Sequence, residues 1–188
     1  MLGTIQSSSF TKGRQMATQG QSANAAMRPS QAAYDAVRRY EGVRYSYYND
    51  SAGNCTSGIG TLAHFGLCTP EELRQAVTGD QVNGSLFAAI DNAAAAVRRA
   101  VTNQPLTQAQ FDALVTYTYN RGATGAHPAL HAANQGNNAA VVSIMLQNVY
   151  VHPHDRHGHR GHPRIDQGLV RRRHAESMPF SQQQPNRS

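Results

Sequence analysis

Glu41, Asp50 and Thr56 stand close together in the stretch EGVRYSYYNDSAGNCTSGIG, residues 41–60. Two carboxylates and a hydroxyl facing one cleft are the parts a glycosidase needs. Breaking a glycosidic bond passes through an oxocarbenium-like transition state, and the leaving oxygen needs a proton while a carboxylate serves the opposite face of the sugar. A threonine hydroxyl can hold a water in such a site because it both donates and accepts.

The elements that must position these groups are legible on either side. Residues 29–40 are expected to form a helix with Ser30 as N-cap and Tyr34, Val37 and Tyr40 along one side, which puts Glu41 at its C-terminal end. The run Arg44-Tyr45-Ser46-Tyr47-Tyr48 is strand-like, with β-favouring aromatics crowded together. Residues 49–54 carry turn chemistry, since Asn and Asp bond their own backbone and Gly accepts positive φ. Residues 55–59 return as the partner strand. Such a hairpin brings Asp50 and Thr56 near the helix end that holds Glu41.

In this register Glu41-Gly42-x-Arg44, Tyr48-x-Asp50, Gly53, Thr56 and Gly58-Ile59-Gly60 resemble the phage-type lysozymes of the T-even kind, the muramidases of glycoside hydrolase family 24. That family sets Asp nine and Thr fifteen residues after its Glu, the spacing of 41, 50 and 56. Further on, Phe111-Asp112-Ala113-Leu114-Val115, Tyr117, Tyr119-Asn120 and Gly122 resemble its second signature. Gly168-Leu169-x-x-Arg172-Arg173-x-x-Glu176 resembles its closing helix motif. One departure is Thr61, where the family usually has His after the Gly-x-Gly; it removes a polar partner and leaves the trio untouched.

The resemblance covers about residues 30–177 and implies an α+β, mostly α-helical, lysozyme-like fold. A small N-terminal lobe with a β-hairpin would be joined by a long helix to a C-terminal helical lobe, with substrate between them. The implied activity is hydrolysis of the β-1,4 bond between N-acetylmuramic acid and N-acetylglucosamine in peptidoglycan. Glu41 would be the general acid, helped to keep its proton by partial burial and a neighbouring carboxylate. Asp50 would be the base or electrostatic stabiliser, and Thr56 would hold the attacking water. Asn120 would face the cleft, and Tyr48 is the other substrate-binding candidate. Inversion at the anomeric carbon would go with carboxylates roughly 6.5–9.5 Å apart rather than about 5–5.5 Å. No metal or organic cofactor is required.

The rest of the chain supplies helices. Residues 61–67 read as an irregular connector. Thr69-Pro70-Glu71-Glu72 is a helix start with an N-cap, Pro at N1 and a capping-box Glu, and that helix is expected to end near Thr78-Gly79. Ser85 is expected to cap the long connecting helix, 85–102, with Leu86, Ile90, Ala94, Val97 and Val101 on its apolar face. Thr107-x-x-Gln110 is a second capping box, followed by Phe111, Leu114, Val115 and Thr118 at core spacing. Two further helices are expected over 128–134 and 138–148.

Composition bounds the partners. The formal net charge is +6, and every basic residue but Lys12 is Arg. A basic surface suits an anionic partner such as peptidoglycan, teichoic acid, nucleic acid or an anionic membrane, and does not choose among them. A cationic wall- or membrane-binding protein without enzymatic activity is one competing reading, and a nucleic-acid binder another. Neither accounts for the register of the trio. A lytic transglycosylase, which needs an acid but no water-activating Asp and leaves an anhydro-sugar, competes among enzymes.

Residues 1–28 read as a flexible polar leader or linker, 29–180 as the catalytic domain and 181–188 as a disordered tail. No apolar run has the length of a signal h-region or a membrane span. The expectation is therefore a monomer made in the cytoplasm without a Sec signal and carried to the periplasm or wall by a lysis hole or secretion apparatus. An immunity protein or delivery machinery would be further partners, with no nucleic acid and no stable membrane insertion.

Cys55 and Cys68 are read as two buried or partly buried free thiols; the alternative is a disulfide tying the hairpin to the next helix, formed in an oxidising compartment. His152, His154, His157, His159 and His162 invite a zinc reading. Pro153, Gly158, Gly161 and Pro163 suit a loop instead, and Arg156, Arg160 and Arg164 would repel a cation. The run is expected to be an extended surface loop near the mouth of the cleft.

Overall fold

The computed structural model describes residues 22–50, 53–151 and 161–181. Helix α1 (Gln31–Glu41) begins after Ser30, whose backbone is extended as an N-cap's should be, but whose side chain makes no cap bond. The Ser30 hydroxyl and N–H instead donate to the Asp112 carboxylate, pinning α1 to α4 (Gln108–Asn134). Gly42, at φ 63°, ends α1 directly after Glu41, a conformation glycine adopts without steric cost.

Strands β1 (Arg44–Asn49), β2 (Cys55–Gly58) and β3 (Thr61–His64) form one antiparallel sheet in that order. The expected hairpin is thus two strands of three, and the connector begins as a strand. Its register pairs Cys55 with His64 and Ser57 with Thr61, turning through Ile59 and Gly60. Helix α2 (Pro70–Arg74) has the capping box read from Thr69 and Glu72 but stops well before Thr78. There Gln75 turns extended, Ala76 bridges to Ser46, and the Val77 N–H donates to the Tyr45 carbonyl at 3.0 Å. The chain leaves the helix to cover the open edge of β1, which otherwise presents unpaired backbone groups.

Helix α3 (Gly79–Ala100) also starts earlier than expected. Thr78 and Gln81 form a capping box, and Gly79, read as a stop, is the first helical residue. At 22 residues it is about 33 Å long. Its predicted face is the buried one: Leu86, Ile90, Ala94, Val97 and Val101 are all fully enclosed. Helix α4 begins on the capping box of Thr107 and Gln110 and buries Phe111, Leu114, Val115 and Thr118. It breaks at Gly122 (φ 68°, ψ 163°) and resumes, so the separate helix expected at 128–134 is its second half. Helix α5 (Asn138–Gln147) follows, then a ribbon of β4 (Tyr150–Val151) with β5 (Arg164–Ile165), then α6 (Gln167–Ser181). Helix α4 packs against α3, α5 and α6, and one apolar core runs through all of them.

The fold is mostly helical α+β, with the three-stranded sheet in the N-terminal lobe and a helical C-terminal lobe. Residues 22–28, part of the expected leader, are held on the domain. Asn24 is buried, donates to the Val101 and Gln104 carbonyls at 2.8 and 2.9 Å, and accepts from the Leu106 N–H at 2.9 Å. The rest of the leader, most of the histidine run and the tail beyond Ser181 lie outside the described residues. Among the described residues no helix is long and apolar enough to cross a membrane.

Candidate active site

Glu41 is the last residue of α1, its side chain 24% exposed, and one carboxylate oxygen accepts a 2.8 Å bond from Arg172 of α6. The group at contact distance from Glu41 is thus a guanidinium. Arg172 is itself buried and fully used. It donates to Glu176 at 2.9 Å and to the Thr116 carbonyl at 3.0 Å, and its guanidinium carbon lies 4.9 Å from the centre of the Tyr40 ring. Arg173, wholly enclosed, pairs with Glu176, donates to the Asn120 side-chain oxygen and reaches the Asn148 carbonyl at 3.1 Å. Charges taken out of water are costly unless paired and hydrogen-bonded, and every nitrogen here that bonds has a fixed acceptor. The network holds Glu41 from the protein side.

On its other side Glu41 faces open space. A cleft of about 1020 Å³ is lined by Glu41, Ile59 and Gly60 from the N-terminal lobe and by Ser85, Asn92 and Arg99 along α3. Ala88, Ala89, Ala93 and Ala96 leave the floor of that cleft wide because they are small. A second cavity of about 420 Å³ also touches Glu41; Asn120, Tyr150 and Asp166 help to line it. Glu41 therefore stands where two hollows meet. Tyr119, in the wall of the larger one, has its phenol pushed up to about 12, chiefly by burial and then by the Glu41 charge.

Asp50 is fixed by the turn that contains it. One of its oxygens accepts the Asn54 N–H at 2.9 Å, and its own N–H donates to the Asn54 carbonyl at 2.9 Å. Its other oxygen accepts the Thr56 hydroxyl at 3.3 Å. Thr56 is 3% exposed and sits across the ladder from Tyr48, whose ring lies 4.2 Å from the Arg44 guanidinium carbon. Asp50, Thr56 and Tyr48 are thus together on the adjoining hairpin. Asn120 lines the smaller hollow with its carbonyl end held by Arg173.

Cys55 and Cys68 form a disulfide, which corrects the reading of two free thiols. The backbone explains their meeting. The Cys68 N–H donates to the Asn49 side chain at 2.8 Å and the Cys55 N–H to the Gly66 carbonyl at 2.7 Å, so the chain between them folds back on the sheet. Arg172 was the functional group that residue types alone did not single out; its signal was the paired arginine of the closing motif.

Residues 38–176 match the model of a family described as phage lysozyme. The chain belongs to the phage lysozyme family. It is therefore a muramidase of the glycoside hydrolase kind, and its substrate class is peptidoglycan. Among solved structures, the endolysin from Escherichia coli O157:H7 phage FAHEc1 is 30% identical with a TM-score of 0.67, over 83% of this chain and 94% of that one. Two more distant structures share the lysozyme fold. The muramidase domain of SpmX from Asticaccaulis excentricus is 24% identical with a TM-score of 0.66, over 83% of this chain and 99% of that one. The active form of P1 phage endolysin Lyz is 20% identical with a TM-score of 0.61, over 84% of this chain and 86% of that one. No curated protein matches the chain by sequence.

Proposed function

We propose that this lysozyme cleaves the β-1,4 bond between N-acetylmuramic acid and N-acetylglucosamine by direct displacement with water, inverting the anomeric carbon. The observation that carries the reading is the seating of Glu41: braced by Arg172 on one side and open to the large cleft on the other. With one oxygen engaged by the guanidinium, the other is available to hand a proton to the leaving oxygen. Asp50 takes a proton from the attacking water, and the Thr56 hydroxyl, hydrogen-bonded to Asp50, orients that water. Asn120 and Tyr48 contact the glycan, and Arg99 offers a cation to the carboxylates of the strand. Preorganised donors of this kind need no rearrangement as charge develops.

The biological setting is wall lysis, as a phage endolysin or as an antibacterial effector delivered into a competitor. Likeness to the endolysin of phage FAHEc1 supports the lytic role, and a lysis cassette or an immunity gene beside this gene separates the two settings. A domain spanning 29–180 carries the activity.

The deciding experiment digests purified peptidoglycan and weighs the fragments. Reducing muramic acid ends support a hydrolase; anhydro-muramic ends would make it a transglycosylase. Proton NMR of the first-formed anomer tests inversion. Glu41→Gln keeps the shape and removes the transferable proton, so turnover should fall by about 10²–10⁴-fold. Wild-type turnover in that variant would overturn the assignment.

A further inference from the structure

Beside the proposed catalytic hairpin, and taking no part in its chemistry, lies a cluster of metal-ligating side chains. Cys55 and His64 are direct cross-strand partners in β2 and β3. Cys68 directly precedes the N-cap of α2, and Glu72 is the N3 residue of that helix. Donor atoms of Cys55, His64 and Glu72 all lie within 4.8 Å of one another. The Cys55 sulfur is 3.8 Å from Glu72 Oε2, and His64 Nε2 is 3.0 and 3.1 Å from Oε1 and Oε2. The Cys68 sulfur is bonded to that of Cys55.

The donors of Cys55, His64 and Glu72 approach the spacing of a coordination shell, and Cys68, outside that group, turns in when the bridge opens. A tetrahedral site with Zn–S of about 2.3 Å and Zn–N of about 2.0–2.1 Å has ligand-to-ligand edges of roughly 3.3–3.8 Å. Two thiolates, an imidazole and a carboxylate form a donor set that suits zinc, whereas calcium and magnesium prefer oxygen alone. The surrounding bonds also fit. His64 Nδ1 lies 3.0 Å from the Phe65 carbonyl and Nε2 lies 3.0 and 3.1 Å from the two Glu72 oxygens, so both ring nitrogens face acceptors, and Nε2 ligates by exchanging its proton for the metal. A backbone carbonyl orienting the far ring nitrogen is the usual support for a ligating histidine. Glu72 Oε2 accepts the Thr69 N–H at 2.7 Å, which fixes the carboxylate with both oxygens in reach of His64 Nε2. Cys68 is held by its bond to Asn49, so both sulfurs stay at the site when the bridge opens.

We propose that the reduced protein binds one zinc ion through Cys55, His64, Cys68 and Glu72, and that the disulfide replaces this zinc on oxidation. The metal is structural, with four protein ligands and no open position. The exchange balances. A dithiol reductant gives two electrons and two protons to the bridge, itself closing to a cyclic disulfide, and leaves two thiols on the protein. Zinc displaces both thiol protons as the two S–Zn bonds form, and the His64 Nε2 proton as the Zn–N bond forms. In the reverse direction a disulfide oxidant takes two electrons from the thiolates and leaves, with two protons from solvent, as two thiols. The protein's S–S bond re-forms and zinc is released. The strand bearing Thr56 is thereby tied to α2 in a reducing compartment, where thiols persist, and in an oxidising one.

The test titrates zinc alone into the full-length chain, reduced and oxidised, in competition with a chromophoric chelator. The oxidised chain keeps the whole histidine run and so measures adventitious binding there. One zinc should bind per reduced chain, at least about tenfold tighter than to the oxidised chain. His64→Ala and Glu72→Gln should each weaken it by about 10–100-fold. Cobalt in place of zinc should give the intense visible bands of a tetrahedral thiolate site, and zinc should raise the melting temperature of the reduced chain. Equal affinity in the two redox states, indifference to His64→Ala, or binding that leaves the melting temperature unmoved would each overturn the proposal.

Discussion

Arg172 of α6 donates to Glu41 of α1 at 2.8 Å, across 131 residues of sequence. The bond makes the position of the proposed acid depend on an arginine that also serves Glu176 and the Thr116 carbonyl. Lysine carries the charge but not the planar fork that spans three acceptors. Arg172→Lys should fold and lose turnover, while Arg172→Ala should cost about 3–5 kcal/mol by leaving buried carboxylate charge poorly compensated. Denaturant melts beside turnover on sacculi check both; full activity in Arg172→Lys would detach the guanidinium from catalysis.

Thr56 is buried against Asp50, so its replacement separates shape from hydrogen bonding. Thr56→Val should fold and lose on the order of 10²-fold in kcat, because a water held even about 1 Å off line is poorly placed to attack. Thr56→Ser should recover most of that loss. Equal rates for the two variants would remove the hydroxyl from the mechanism.

The disulfide closes a loop over a sequence separation of 13. Its removal should cost about 3 kcal/mol through the entropy returned to the unfolded chain. That corresponds to roughly 6–12 °C for a chain of this size. Calorimetry of Cys68→Ser in the presence of a chelator measures the cost free of metal. An unchanged melting temperature would mean the bridge adds nothing.

Burial and the Glu41 charge push the Tyr119 phenol up to about 12 from its ordinary value of 10.0. A group raised in the folded state contributes stability that is fully present below its unfolded value and is lost as pH rises through the folded one. The protein should therefore lose stability between pH 10 and about 12. Tyr119→Phe should flatten that decline, as followed by thermal melts across the alkaline range; an unaltered slope would assign the loss to other groups.

The ribbon sets the ends of the histidine run side by side, since Val151 pairs with Arg164. Replacing residues 152–163 by Asn-Gly, a two-residue hairpin turn this pairing admits, should leave cleavage of short soluble glycans intact. Binding to whole sacculi should weaken, because Arg156 and Arg160 leave with the run. Unchanged sacculus binding would show that the run does not touch the wall.

What could be read from sequence follows the range over which each cause acts. Capping boxes at Thr69 and Thr107 and the apolar face from Leu86 to Val101 are local, and all three are present as read. The capping box of Thr78 was equally local but hidden by Gly79, which reads as a terminator when no partner for it is known. Strand β3 had no signal of its own, because Thr-Leu-Ala-His becomes a strand only when the edge of β2 is there to pair with it. Asn24, Cys68 and Arg172 belong to a third kind. Each acquires its partner through the tertiary fold, and one sequence carries no measure of that distance. At the candidate site the spacing of Glu41, Asp50 and Thr56 was legible, whereas the brace behind Glu41 was not.

The order in which the chain is made gives the brace a further meaning. Residue 41 leaves the ribosome long before residue 172, and at about 5–20 residues per second the interval is on the order of ten seconds. Throughout that interval α1, β1 and β2 can form while Glu41 has no guanidinium to hold it. On the proposed role of Glu41, a nascent or prematurely released fragment lacking α6 would have its acid unbraced, and the Arg172 bond to Glu41 would be among the last contacts of the cleft to form.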